Sequence, residues 1–138
     1  MKKHKPYEDP HGKSICIYIS GPYSRGDKGD NVLNAIRAGV ELMDNGITPY
    51  IPHLSHFVEG FYPRPYQEWL HHDRVWINRC DAVLRLPGVS SGADWEVDLA
   101  ISLGTLVFFG SNGSGMHKLL KHFRVSGKEE SLWPTIKM

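Results

Sequence analysis

The sequence is poor in several things, and each shortage excludes something. It has only two cysteines in 138 residues. Cys16 and Cys80 both lie in or beside apolar runs, so a disulfide-stapled secreted scaffold is excluded and two reduced, buried thiols are expected. No apolar run approaches the roughly 18 residues that cross a bilayer, and no signal-peptide pattern opens the sequence. The expectation is a cytoplasmic protein with no membrane partner. Charge of one sign is also scarce: sixteen Lys and Arg against fifteen Asp and Glu leave a formal charge of +1. A duplex nucleic-acid binder carries a strongly basic face, so nucleic acid is set aside as a partner. The one basic cluster, Lys2, Lys3 and Lys5, sits in a polar opening stretch with no apolar segment behind it. There is no internal repeat. The length suits a single domain with a real core, and leaves little material for a complete active site besides.

What is present is a strict alternation. Residues 1–13 are charged and carry two prolines, and read as a flexible polar tail; residues 14–138 read as one domain. Ile15 to Ser20 is a β-branched apolar run, the mark of a strand buried on both faces. A glycine-rich loop, Gly21 to Asp30, leads into a helix for which Asp30 is the expected N-cap, with Val32, Ile36, Val40 and Met43 as its apolar stripe and Asn45-Gly46 as its left-handed stop. Ile47 to Ile51 is a short strand, and Pro49 within it points to a sheet edge. His53 to Pro65 shows no regular period. A helix is expected over Tyr66 to Arg79, a strand over Ala82 to Leu86, a helix over Ser91 to Leu103, a strand over Thr105 to Phe109 and a last helix over about Met116 to Phe123. The third helix opens on Ser91-Gly92-Ala93-Asp94, a capping-box pattern with Asp94 in the N3 place. This order predicts an α/β protein, a flavodoxin-like or Rossmann-like three-layer sandwich with a mostly parallel sheet of four to five strands. In such sheets ligands bind beyond the carboxyl ends of the strands. The loops after Ser20, Ile51 and Leu86 are therefore where chemistry is expected.

Two acids stand where apolar residues should. Asp73 falls in the middle of the stripe formed by Trp69, Leu70, Trp76 and Ile77, where desolvation raises a carboxyl pKa and suits it to act as a general acid. A buried Asp tied to backbone or to an arginine is an equally good reading on spacing alone. Glu96 shares a stripe with Leu99, Ala100 and Leu103, near a helix start whose dipole favours the ionised form. The plain alternative for Glu96, a first-turn acid completing a cap, belongs better to Asp94. Two carboxyls pushed apart in pKa are the acid and nucleophile of glycosyl transfer.

Other signals are weaker. Ser24, Arg25 and the glycines of the first loop can meet an anion near a helix start, yet Gly21, Gly26 and Gly29 match neither the dinucleotide fingerprint nor a Walker loop. His53-x-x-His56 lies in a loop where that spacing fixes no geometry, and His71 and His72 face different ways on a helix. No metal and no cofactor are expected; base-contacting or exposed histidines are.

Four patches resemble the nucleoside 2-deoxyribosyltransferase superfamily, nearest the 2′-deoxynucleoside 5′-monophosphate N-glycosidases. They are Ile17-Tyr18-Ile19-Ser20-Gly21-Pro22-Tyr23-Ser24, His72-Asp73-Arg74-Val75-Trp76-Ile77, Cys80-Asp81-Ala82-Val83-Leu84, and Ser90-Ser91-Gly92-Ala93-Asp94-Trp95-Glu96 with Ala100-Ile101 and Gly104 behind it. The resemblance spans about residues 15–110. It implies Glu96 as nucleophile, Asp73 as the acid assisting the departing base, and Tyr18 as the group positioning the nucleophile. It implies Ser90 as a phosphate-binding serine, with Gly92, Gly21, Ser24, Arg25 and His53 as further substrate contacts, and Asp81 as structural. Pro22 stands where phosphate-preferring members have serine. Phe57, Phe61 or Tyr62 is expected to stack on the base. Family members are dimers or larger homo-oligomers with borrowed site residues, for which Ser111, Asn112 or Ser114 is the candidate here.

The resemblance thus implies cleavage or transfer of the N-glycosidic bond of a (2′-deoxy)nucleoside 5′-monophosphate. A transferase working on free nucleosides and a non-catalytic nucleotide-binding module stay open beside it. A metal-dependent phosphohydrolase is disfavoured, because no carboxylate–histidine set shares one face.

Overall fold

The computed structural model describes residues 14–110 and 113–123; the expected tail over residues 1–13 lies outside them. Four strands form one all-parallel sheet: β1 (Cys16–Ser20), β2 (Thr48–Tyr50), β3 (Ala82–Arg85) and β4 (Leu106–Phe109), in the order β2-β1-β3-β4. The helices are α1 (Lys28–Asp44), α2 (Ser55–Phe61), α3 (Tyr66–Arg79), α4 (Ser91–Ser102) and α5 (Ser114–Phe123), with a 3-10 turn over Pro52–Leu54. The α/β three-layer expectation holds, and β2 with its Pro49 is an edge strand as predicted.

The period of two along β1 and β3 divides the molecule. Ile17, Ile19, Ala82 and Leu84 face α1 and α5 in an aliphatic core closed by Ala35, Leu42, Met116 and Leu119. Their neighbours Tyr18 and Val83 face the other way, against Ile77 of α3 and Ala100 of α4. The chain leaves β1 toward β2 on one side and returns to β3 on the other. The carboxyl ends of β1 and β3 therefore form the switch point where open α/β sheets bind ligands.

Four local expectations are corrected. Asp27, not Asp30, caps α1, its carboxylate accepting the Asp30 N–H at 2.9 Å. The buried stripe of α1 is Val32, Ala35, Ala38, Gly39 and Leu42, while Val40 and Met43 lie outside. Small residues stand between Val32 and Leu42 on this stripe because the helix approaches closely there: a Cβ on Gly39 would stand 2.5 Å from Ile51 Cδ1. The His53–Pro65 segment is helical in its first part, although α2 buries no residue and so leaves no periodic pattern. Finally, Ser90 rather than Ser91 caps α4, accepting the Ala93 N–H at 3.1 Å. That shifts Asp94 out of the capping box, and it meets Arg85 at 3.2 Å instead. The left-handed stop of α1 is present, with Gly46 at φ 72°.

Candidate active site

The floor of the site is built by strand alternation. Tyr18 and Ser20, two residues apart, leave β1 on the same face. Both reach Glu96 on α4: the Tyr18 hydroxyl donates to Oε2 in a short bond, and Ser20 Oγ donates to Oε1 at 3.1 Å, with the Ala93 carbonyl at 3.4 Å as its alternative acceptor. Glu96 is 9% exposed, so both of its oxygens are fixed inside the protein and the carboxyl has one orientation. Asp73 comes from α3 on the same side, held by a helix whose Ile77 is fully buried behind it. Trp76, one residue before, is stacked on Tyr50 with ring centroids 4.5 Å apart.

Burial pushes the Glu96 carboxyl from its ordinary 4.5 up to about 7, and the charge of Asp73 pushes the same way; the Tyr18 and Ser20 hydrogen bonds and Arg85 oppose it. Burial also lifts Asp73 from 3.8 to about 7, against a hydrogen bond from Tyr18. The expected split, one neutral and one charged by environment, is therefore absent. Glu96 lies six residues past the cap, beyond the first turn where the helix dipole acts, so desolvation dominates. Two such neighbours titrate as a pair, and burial holds both toward the neutral form. Burial, then Glu96 and Asp73, raise the Tyr18 hydroxyl well above its usual range, which keeps it a donor.

Above this floor the cleft divides into two lobes of about 510 Å³ each, and Gly21, Tyr23, Ser24, Tyr66, Asp73 and Glu96 line both. The first lobe is walled by His53, His56, Glu59 and Trp69. The second is walled by Arg25, Leu70 and the start of α4 through Ser90 and Gly92. All three predicted loops thus reach the cleft. The α3 stripe of Trp69, Leu70 and Asp73 is cleft wall rather than core.

Gly21 has no room for a side chain, since a Cβ would meet Leu86 Cβ at 2.9 Å. Pro22 locks this loop to the one after β3: it packs where a Cβ on Gly88, at φ +116°, would strike its ring at 2.7 Å. Asp81 is structural as expected, accepting the Cys16 N–H at 2.9 Å. His53 is 5% exposed, and its Nε2–H donates to the carbonyls of Gly21 and Pro22, each at 3.1 Å. Carbonyls only accept, so Nε2 carries the proton. Burial lowers the ring's pKa and keeps it neutral. Its role in the wall is thus to tie the first loop to the 3-10 turn.

The expected stacking residues are elsewhere. Phe57, Phe61 and Tyr62 are exposed and line neither lobe; Tyr66 and Trp69 supply the aromatic surface. Ser114, expected to serve a neighbouring copy's site rather than its own, opens α5 beside Gly110, and Ser111 and Asn112 lie outside the described residues. His71 and His72 are exposed on α3, and among the described residues no three of His, Cys, Asp or Glu group as a metal site. The free cysteines fall as predicted for Cys80, which is buried, while Cys16 is half-buried.

Three contributors escaped the sequence. Ser20 was signalled by the period of two that pairs it with Tyr18. Arg85 donates to the carbonyls of Leu86 and Gly88 and to Asp94, bracing the loop before α4. Glu59 accepts the Trp69 indole N–H and the Arg64 N–H; no sequence pattern announces it, because α2 has no buried face.

The fold and this site together define a class: a doubly wound α/β protein with one buried and one half-buried carboxyl side by side at the switch point of its sheet. The chain belongs to the family described as Domain of unknown function (DUF7768), whose model matches residues 15–120 and so contains every described site residue. No curated protein matches the chain. Among the described residues, no helix is long and apolar enough to cross a membrane.

Proposed function

We propose that the protein breaks the N-glycosidic bond of a (2′-deoxy)nucleoside 5′-monophosphate, as the resemblance to the nucleoside 2-deoxyribosyltransferase superfamily implies. The observation that carries this reading is the single fixed orientation of Glu96, clamped through both oxygens beside Asp73 where the two lobes meet. In the first step a Glu96 oxygen attacks the anomeric carbon and the carbon–nitrogen bond breaks. Its electron pair goes to the base nitrogen, which takes the proton of Asp73. In the second step water attacks the same carbon, releasing Glu96 and returning a proton to Asp73. Transfer replaces that water with a second base. The reaction needs one of the two ionised as nucleophile and the other protonated as acid, and a coupled pair whose carboxyls are both raised toward neutral pH suits that division.

The phosphate fits the second lobe. The N–H groups at the start of α4 carry no helical partner and attract anions. The Ser90 hydroxyl accepts from Ala93 and keeps its own proton to donate, and Arg25 lies in the same wall. This favours a monophosphate over a free nucleoside. A cytoplasmic setting suits such a substrate and two free thiols, and a second copy of the chain closing the open cleft suits the resemblance. The reaction needs no cofactor.

The test is incubation with a panel of nucleoside and deoxynucleoside monophosphates, followed by chromatography for free base. Release of base that is lost in Glu96→Ala supports the reading. Binding without release identifies a non-catalytic nucleotide module, and equal release by Glu96→Ala removes the nucleophile assignment.

A further inference from the structure

Glu59 is the polar group of the first lobe that the proposed chemistry leaves unused. It lies on α2 and faces the cavity that also exposes Trp69, Tyr66 and the Tyr23–His56 pair, whose hydroxyl and Nδ1 are 2.9 Å apart. Two donors fix it, the Trp69 indole N–H and the Arg64 backbone N–H, and both fall on Oε1, so Oε2 is left for a further donor. The same two bonds, the indole's first, hold its carboxyl below the usual range. The charges of Lys28 and Arg64 favour the ionised carboxylate too, but their direct contacts lie elsewhere: Arg64 grips Glu68 through two nitrogens, and Lys28 stands over the Tyr23 ring at 5.6 Å. An acceptor-only group aimed into an aromatic-walled cavity selects a planar ligand that carries a donor at its edge.

Resting on the function proposed above, the layout orients the substrate. The sugar sits over Glu96 and Asp73, and the phosphate takes the anion-binding start of α4. The base then enters the first lobe, whose wall includes Trp69 and Tyr66. We infer that Glu59 is the base-selecting residue, accepting a hydrogen bond from an exocyclic amino group, so that the protein prefers amino-bearing bases over their keto counterparts. A keto oxygen at that place would set its lone pairs against the carboxylate with no proton between them, whereas an amino group supplies one.

The experiment compares initial rates of base release from matched pairs: the 5′-monophosphates of deoxycytidine against deoxyuridine, and of deoxyadenosine against deoxyinosine. Wild type is expected to favour the amino member of each pair by about tenfold or more, the worth of one hydrogen bond to a charged group. Glu59→Gln keeps an oxygen for Trp69 and Arg64 but adds an amide donor, and is expected to bring the ratio near one. Trp69→Phe keeps the stacking surface while releasing Glu59, and should lower the ratio in the same direction. Base release with a ratio unchanged in both variants, or with no preference in wild type, overturns Glu59 as selector and leaves the proposed reaction standing. No release and no binding with any of the four overturns the proposed reaction, and the selector with it.

Discussion

The two faces of the sheet use the same strands for different ends. On one face the alternate residues Ile17, Ile19, Ala82 and Leu84 meet α1 and α5 through carbon alone. On the other, Tyr18, Ser20 and Arg85 stand among Ile77, Val83 and Ala100. The first face is what a small domain needs to stay folded. The second accepts two carboxyls that burial drives toward neutrality, a cost carried by the stability of the first. The carboxyl pair and the aliphatic core are thus separated by one residue of strand register, and substitutions on either face should show different signatures.

The largest effect is expected from Glu96→Gln on the polar face: base release should fall by about 10³-fold or more, equivalent to about 4 kcal/mol of barrier. The melting temperature should hold or rise, because a neutral amide replaces a buried acid. A large loss of stability in calorimetry would mean that Glu96 belongs to the core after all. On the aliphatic face, Leu42→Ala should do the reverse, costing about 2–5 kcal/mol in denaturant unfolding and leaving the rate per folded molecule unchanged.

Tyr18→Phe lies between these extremes. It removes the hydroxyl that donates to Glu96 and whose hydrogen bonding holds both carboxyls down, so the rate should drop by about 10–100-fold and both limbs of the pH–rate profile should move to higher pH. A profile that only scales down would separate Tyr18 from the titrating pair.

Stability itself should depend on pH in a direction opposite to that of most surface acids. An unfolded chain ionises Glu96 near its ordinary 4.5, whereas the folded one does so near about 7. Between these values the folded state holds the extra proton, so stability falls as pH rises from about 4.5 and levels off above about 7. Asp73, lifted from 3.8 to about 7, acts in the same sense. Unfolding midpoints measured across that range should slope downward in wild type and flatten in the double variant Glu96→Gln with Asp73→Asn. An upward slope would show that partners hold these carboxyls ionised. The smallest effect is expected from Ser90→Ala, about 1 kcal/mol of stability through the lost cap, with a raised KM for monophosphates and none for nucleosides.

How much of this the sequence carried differs by residue. The strands announced themselves because continuous β-branched runs suit parallel sheet, and Pro49 marked its edge. Asp73 and Glu96 were visible as charges on apolar stripes, a conflict between local pattern and burial that sequences tolerate mainly at functional sites. The α1 stripe was misread because bulky residues outweigh alanine and glycine in any hydrophobic count, although close helix–sheet approach needs the small ones. The aromatic residues of the first lobe were misassigned for a related reason. Phe57, Phe61 and Tyr62 look stickiest in a loop, but α2 turns them to solvent while Tyr66 and Trp69 on α3 face the cavity.

By itself the sequence determined the alternating α/β order, the parallel sheet and the identity of the two acids, because periodicity and local charge are properties of neighbours along the chain. Only the tertiary structure decided their protonation. Glu96 was expected to be charged by its helix and is instead pushed up to about 7, since its solvation depends on β1 and α3, 78 and 23 residues distant through Tyr18 and Asp73. It also decided that the cleft has two lobes and that Glu59 looks into one of them. Desolvation and cavity shape depend on what packs from far along the chain, and no local pattern encodes them.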